Sequence, residues 1–273
     1  MIISTNIGGL SNRIKSLVCA FRIADIKQKE YGVIWEILNT IKKKNHILNC
    51  SFDKLFQNDI LLKNIENYDE IEKYNSHSLY VDNNDNIPKN FNNFNSNCKK
   101  KFKSIYKSMS IDYMFNKIPL ELKNKYIVYF KILKPLDNLQ KEIDSFSKKF
   151  NEKTISIHIR SWNRINESGR KNLFNLDNFE KEIEKYDETY NFYLASDCQE
   201  VKDKLNKKYG NRILIYPRKT NLDNSRNFSE AIQEDLIELY LLSKNKIIIG
   251  SHFSTYTEVA WWLGGCTTNI TIL

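Results

Sequence analysis

Apolar residues in the second half of the chain fall into two alternating kinds of run. Short blocks rich in branched and aromatic residues read as strands: Thr154–Ile159, Phe192–Ala195, Ile213–Tyr216, Lys246–Gly250 and a last one near Ile270–Ile272. Between them, apolar positions recur three or four residues apart. This spacing predicts helices over Leu176–Lys185, from just after Asp197 to Lys208, over Glu230–Leu242 and over Thr255–Leu263. Polar loops at Ser161–Lys171 and Pro217–Phe228 punctuate the alternation. Strands and helices that take turns in this way imply a parallel, doubly wound sheet.

The opening of the chain has the same grammar. Ile2–Thr5 is a strand candidate, and Gly8-Gly9-Leu10-Ser11-Asn12-Arg13 is a turn. An amphipathic helix follows to about Lys29, with Ile14, Leu17, Val18, Phe21 and Ala24 at helical spacing. Gly32–Trp35 is the next strand candidate. From about residue 40 to 130, clusters of Asn, Lys and Asp interrupt the apolar runs, and the expectation is loops, irregular strands and a few helices. A helix over Leu139–Phe150 leads into the second half. The 273 residues suit two domains. The division expected is an α/β domain over 1–150 and a Rossmann-like domain over 151–273.

Composition narrows the class. Hydrophobic residues are 41% and aromatics 12%, enough for sizeable cores and against global disorder. The net charge of +9 suits an anionic partner, although Lys42-Lys43-Lys44 and Lys99-Lys100-Lys101 read equally well as solvated surface. No zinc-finger spacing, RNP motif or Gly-rich clamp is present, so nucleic acid is not an expected partner. Cys19, Cys50, Cys98, Cys198 and Cys266 are scattered without CxxC spacing, which points to reduced thiols and to no metal site. The start lacks a signal-peptide pattern and no apolar run could span a bilayer. The expectation is a soluble, cytoplasmic protein.

Candidate chemistry collects at strand ends, where open α/β sheets bind ligands. His158 and Arg160 share one face of their strand, and the planar, permanently charged fork of arginine suits a diphosphate. Asp197 follows the next strand, where it could cap a helix or accept hydrogen bonds from a ribose or base. The last long strand runs into Gly250-Ser251-His252-Phe253-Ser254-Thr255, hydroxyl-rich and placed at a helix N-terminus, a ready anion site. The Gly8–Arg13 turn is of similar character but is neither GxGxxG nor a P-loop.

Taken together these segments resemble the GDP-fucose-dependent fucosyltransferase superfamily, which includes bacterial α1,2-fucosyltransferases, the rhizobial nodulation enzyme and protein O-fucosyltransferases. The Gly8–Arg13 turn is similar to the family's Gly-Gly-x-Gly-Asn loop, and His158-Ile159-Arg160 to its His-x-Arg motif. Phe192–Asp197 is similar to its strand ending in Ser/Thr-Asp. Asp235-Leu236, Ile249–Ser254 and Ala260–Gly265 are similar to its final Ser-x-Phe-Ser block. The resemblance skips roughly residues 40–150.

It implies a GT-B-like α/β fold of two facing Rossmann-like domains with mainly parallel sheets. It also implies an inverting, metal-independent transfer of fucose from GDP-fucose to a glycan hydroxyl, with no cofactor beyond the donor. Arg160 would then contact the β-phosphate, Ser254 and Thr255 would bind phosphate, and Asp197 and His158 would lie near the nucleoside. Asn12 would act at the sugar and β-phosphate. Gly9, Arg13, Ser251, His252 and Phe253 complete the implied donor contacts. The alternatives are a transferase for another GDP-sugar and a degenerate, non-catalytic nucleotide- or carbohydrate-binding module.

Two departures stand out. Ser11 occupies a position where the family has glycine, and Asn163 stands where His-x-Arg-x-x-Asp would place a carboxylate. Glu167, Asp223 and Glu258 are all open as the general base.

Overall fold

The computed structural model describes residues 1–6, 8–35, 48–61, 71–76, 79–82, 107–109, 118–161, 174–222 and 228–273. Asn163, Glu167 and Asp223 lie outside them. The chain forms two compact units, Met1–Leu136 and Asp137–Leu273. Both are α/β, and their sheets are mainly parallel.

In unit 1, β1 (Ile2–Ser4) is followed by α1 (Leu10–Lys27) and then β2 (Tyr31–Val33). With β3 (Glu72–Tyr74) they make a parallel sheet in the order β2-β1-β3. A separate antiparallel pair joins β4 (Leu79–Val81) to β5 (Lys107–Met109). Next comes α2 (Leu120–Phe130), which buries Leu122, Tyr126 and Phe130 at four-residue spacing.

The amphipathic reading of α1 needs correction. Its apolar positions are buried, but so are Arg13, Lys15, Ser16 and Arg22. The guanidinium of Arg22 lies 4.8 Å from the Tyr126 ring centroid and donates to Tyr80 O at 3.0 Å. Aromatic faces and a carbonyl thus replace the water that a surface arginine would have.

Unit 2 begins with α3 (Asp137–Ser147). Phe146 of α3 stands 5.8 Å from the Tyr193 ring and 5.6 Å from that of Tyr216, both in unit 2.

There follow β6 (Thr154–Ile159), α4 (Leu176–Ile183), β7 (Asn191–Ser196), α5 (Gln199–Tyr209), β8 (Ile213–Leu214), α6 (Ser229–Leu242), β9 (Ile247–Gly250), α7 (Thr255–Leu263) and β10 (Asn269–Ile272). All five strands are parallel, in the order β10-β9-β6-β7-β8. Ile155, Ile157 and Ile159 point into a core shared with Phe179 and Ile183 of α4 and Val201 and Leu205 of α5. On the other face, Ser156 donates to Leu242 O of α6 at 2.8 Å. This alternation is what a period of two along β6 requires.

The strand order matters more than the count. The chain builds β6, β7 and β8 outward in one direction, then returns through α6 to lay β9 against the other side of β6. That reversal is the topological switch point, and the crevice beyond the carboxyl ends of β6 and β9 is where such sheets bind ligands. No helix among the described residues is long and apolar enough to cross a membrane.

Candidate functional site at the β6–β9 switch point

The register sets His158 opposite Gly250 across the β6–β9 seam. Just beyond it the two strands are stitched together. Ser251 Oγ accepts from the Arg160 N–H at 2.7 Å, and the Ser251 N–H donates to His158 O at 3.1 Å. Ser251, read from the sequence as a donor contact, is buried and joins the strand ends.

Arg160 leaves the end of β6 with its side chain only 15% exposed. Its Nη1 donates to Asp197 Oδ2 at 2.5 Å, and Asp197 Oδ1 accepts from the Ser161 N–H at 2.8 Å. Register explains the pair: Ile159 faces Ser196 across β6–β7, so the next residues out meet as well. Asp197 does not cap α5, which starts after Cys198 with no side-chain cap. It orients the arginine.

α7 opens at the end of β9. Ser254 is its N-cap, and Ser254 Oγ accepts from the Thr257 N–H at 3.5 Å. Thr255 is the first helical residue. A helix start leaves backbone N–H groups without carbonyl partners in the helix, which favours an anion there. Phe253 precedes the cap with φ at +55°, a left-handed conformation uncommon in non-glycine residues. The residue is 40% exposed, and its ring stacks on His252 at 4.5 Å and 6°. A flat pair of rings beside a helix N-terminus offers a surface for a base or sugar face.

His158 and Thr257 lie beneath this surface. His158 is buried, its Nδ1 stands 2.7 Å from Thr257 Oγ1, and its ring packs 4.8 Å from that of Tyr256. Burial holds the imidazole at about 3, well below its ordinary value. Asp197 pulls upward against this and Arg160 pushes further down. The structure therefore gives His158 a bracing contact to α7. Thr257 escaped sequence reading because it looked like one more helical residue after the Ser/Thr cluster.

The low value has a consequence for stability. The folded protein keeps the ring neutral down to about 3, whereas the unfolded chain takes up a proton near its ordinary value. His158 therefore adds no pH dependence above that value, and below it stability falls by up to ~1.4 kcal/mol per pH unit. His158→Gln is expected to flatten the dependence of the urea midpoint on pH between about pH 7 and pH 5. An unchanged slope would contradict a buried neutral ring.

In unit 1 the Gly8–Arg13 turn is tied down locally. Asn6 Oδ1 accepts from the Gly8 N–H at 2.7 Å, and Arg13 Nε donates to Gly8 O at 2.9 Å. A Cβ at Gly8 would meet Asn12 Nδ2 and Asn6 Oδ1 at 2.9 Å. Gly9 is the N-cap of α1 and offers no side chain. Arg13 is buried, with its guanidinium 5.0 Å from the Trp35 ring centroid, and so braces the turn. Asn12 Oδ1 is a buried oxygen without a hydrogen-bond partner. Glu258, one of the candidate bases, is wholly buried, and its Oε1 accepts from Trp262 Nε1 at 3.4 Å. Its carboxylate is closed off from solvent.

Comparison with solved structures gives a consistent architecture. The α-1,6-fucosyltransferase NodZ soaked with GDP-fucose superposes with a TM-score of 0.54 and 16% identity, over 96% of this chain and 91% of its own. An Arg-to-Lys mutant of Arabidopsis thaliana FUT1 in complex with GDP gives 0.57 and 14%, over 100% and 70%. POFUT1 in complex with GDP gives 0.52 and 10%, over 99% and 97%. The chain shares the fold of these fucosyltransferases. No family model matches the sequence, and no curated protein matches it either. At such identities the fold persists while individual residues have drifted, so the residues at the switch point carry the functional argument.

Proposed function

We propose that the protein is a glycosyltransferase that uses a GDP-sugar, with GDP-fucose as the favoured donor and a glycan hydroxyl as acceptor. The observation that carries this reading is the Arg160–Asp197 pair at the carboxyl ends of β6 and β7, beside the β9 end that leads into the α7 N-terminus. The likeness to structures solved with GDP-fucose and with GDP supports it.

In this reading the acceptor oxygen attacks C1 of the sugar. The bond from C1 to the β-phosphate oxygen breaks with inversion, GDP departs, and the acceptor gives up its proton. Negative charge grows on the leaving diphosphate, so stabilisation must be waiting there. Arg160 supplies a fixed cation because Asp197 has already oriented it, and the N–H groups at the start of α7, with Ser254 and Thr255, supply dipoles. Such a site neutralises the diphosphate without a metal ion, which is the mechanism proposed. His252 and Phe253 offer their stacked rings to the nucleoside or sugar. Asn12 is proposed as a sugar-side residue on the Gly8–Arg13 sequence pattern alone. The general base is left unassigned.

The test is direct. GDP and GDP-fucose are expected to raise the melting temperature in the presence of EDTA, and GDP-fucose, a β-linked donor, to be consumed in a glycan screen with an α-linked product. Absence of any shift with GDP, GDP-fucose or GDP-mannose would refute the donor class. A shift without consumption of donor would leave a binding module.

A further inference from the structure

A second charge cluster in unit 2 takes no part in the chemistry just described. Arg218 follows β8 and its side chain is 5% exposed. Its Nη1 donates to Asp235 Oδ1 at 2.7 Å and to Glu238 Oε2 at 2.6 Å, its Nη2 to Ala231 O at 3.0 Å, and its Nε lies 3.4 Å from Glu234 Oε2. Lys202 of α5 adds a second cation, 2.9 Å from Glu238 Oε1. Buried ion clusters contribute little net stability after desolvation, and their best-attested use is to fix one arrangement over others.

What this cluster fixes is visible in its hydrogen bonds. Glu234 accepts from the Lys219 N–H at 2.6 Å, from the Thr220 N–H at 3.2 Å and from the Thr220 hydroxyl. Two consecutive peptides of the segment leaving β8 are therefore clamped by one carboxylate, itself held by Arg218. That segment stands at the carboxyl edge of the sheet beside the one carrying Asp197, because β7 and β8 are neighbours. Contact with the crevice is continuous: Tyr256 donates to Asp235 O at 2.5 Å, and its ring packs on His158.

We infer that Arg218 and Glu234 are positioning residues for the nucleoside side of the donor crevice, holding the segment at 217–222 as the wall beyond Asp197. The inference rests on the GDP-sugar reading above. With the diphosphate at Arg160 and α7, the nucleoside extends over neighbouring strand ends: that of β7 lies next to Arg160, and that of β8 one strand further out. Neither Arg218 nor Glu234 touches substrate. They set where the wall stands.

The experiment compares wild type with Glu234→Gln. An amide keeps the volume but turns an NH2 toward backbone N–H donors, so one of the clamped groups loses its acceptor. The Kd for GDP is expected to rise about tenfold, the size of one lost hydrogen bond to a charged group. The preference for GDP over UDP should fall by the same factor, while kcat at saturating donor stays within about twofold. Melting without ligand reads folding separately. If Glu234→Gln does not fold, Arg218→Lys carries the same expectation, since it keeps the charge but loses the fork. A folded variant with unchanged GDP affinity, or with equal loss for GDP and UDP, overturns the inference. Failure of the wild type to bind GDP brings down the donor reading as well, and so is a distinct result.

Discussion

Arg160→Ala is expected to abolish the GDP-induced rise in melting temperature and to lower kcat/KM for a GDP-sugar by roughly two to three orders of magnitude. The size follows from where the charge sits. An arginine held by Asp197 needs no reorganisation when negative charge develops on a leaving diphosphate, so its removal costs the transition state more than the ground state. Asp197 would also lose its cation and, at 12% side-chain exposure, keep a poorly hydrated carboxylate beside the anion site. Arg160→Lys should fall between the two, retaining charge without the fork. Calorimetry with GDP together with initial rates separates the cases. Wild-type affinity in a folded Arg160→Ala protein would remove Arg160 from the site.

Gly250→Ala is the second substitution with a large expected effect, and its cause is packing. A Cβ at Gly250 would stand 2.2 Å from Thr257 Cγ2 and 2.8 Å from Thr257 Oγ1. Either α7 retreats from β9 or Thr257 rotates away from His158, and both disturb the helix N-terminus at the crevice. Overpacking of this kind costs ~1–3 kcal/mol in stability. GDP affinity should fall in parallel. Thr257→Ser removes the offending methyl and keeps the hydroxyl, so the double variant should be less damaged than the sum of the single variants. Thermal melts of all four proteins measure this coupling, and simple additivity would show that the contact is not what limits the site.

How far the sequence anticipated these arrangements differs from residue to residue. The strands and helices of unit 2 were legible because their strands are short blocks of Ile, Phe, Tyr and Leu, with no competing periodicity. In unit 1, β3 is Glu-Lys-Tyr, which has no apolar alternation to betray it, and only pairing with β1 makes it a strand. The burial of Arg22 was illegible for the same reason, since the aromatic rings that accept it come from Tyr80 and Tyr126, far away in sequence. At the site, Arg160 and the Ser254 cap could be placed at strand and helix ends from local pattern alone. The link from Arg160 to Asp197 could not, because it depends on β6 and β7 being neighbours in register. Arg218 read as one charge in a polar loop. Its carboxylate partners lie sixteen to twenty residues on, all within α6.

The strand order carries a last consequence, for the way the protein opens. The part of the crevice between residues 160–161 and 250–255 exists only while β9 is seated against β6. A fluctuation that peels β9 and β10 away would leave β6, β7 and β8 paired and yet destroy the site. Ligand bound across that seam works against this opening in particular. Amide hydrogens of 247–250 should gain more protection from exchange on binding than those of 191–196, even though both strands lie in the same sheet.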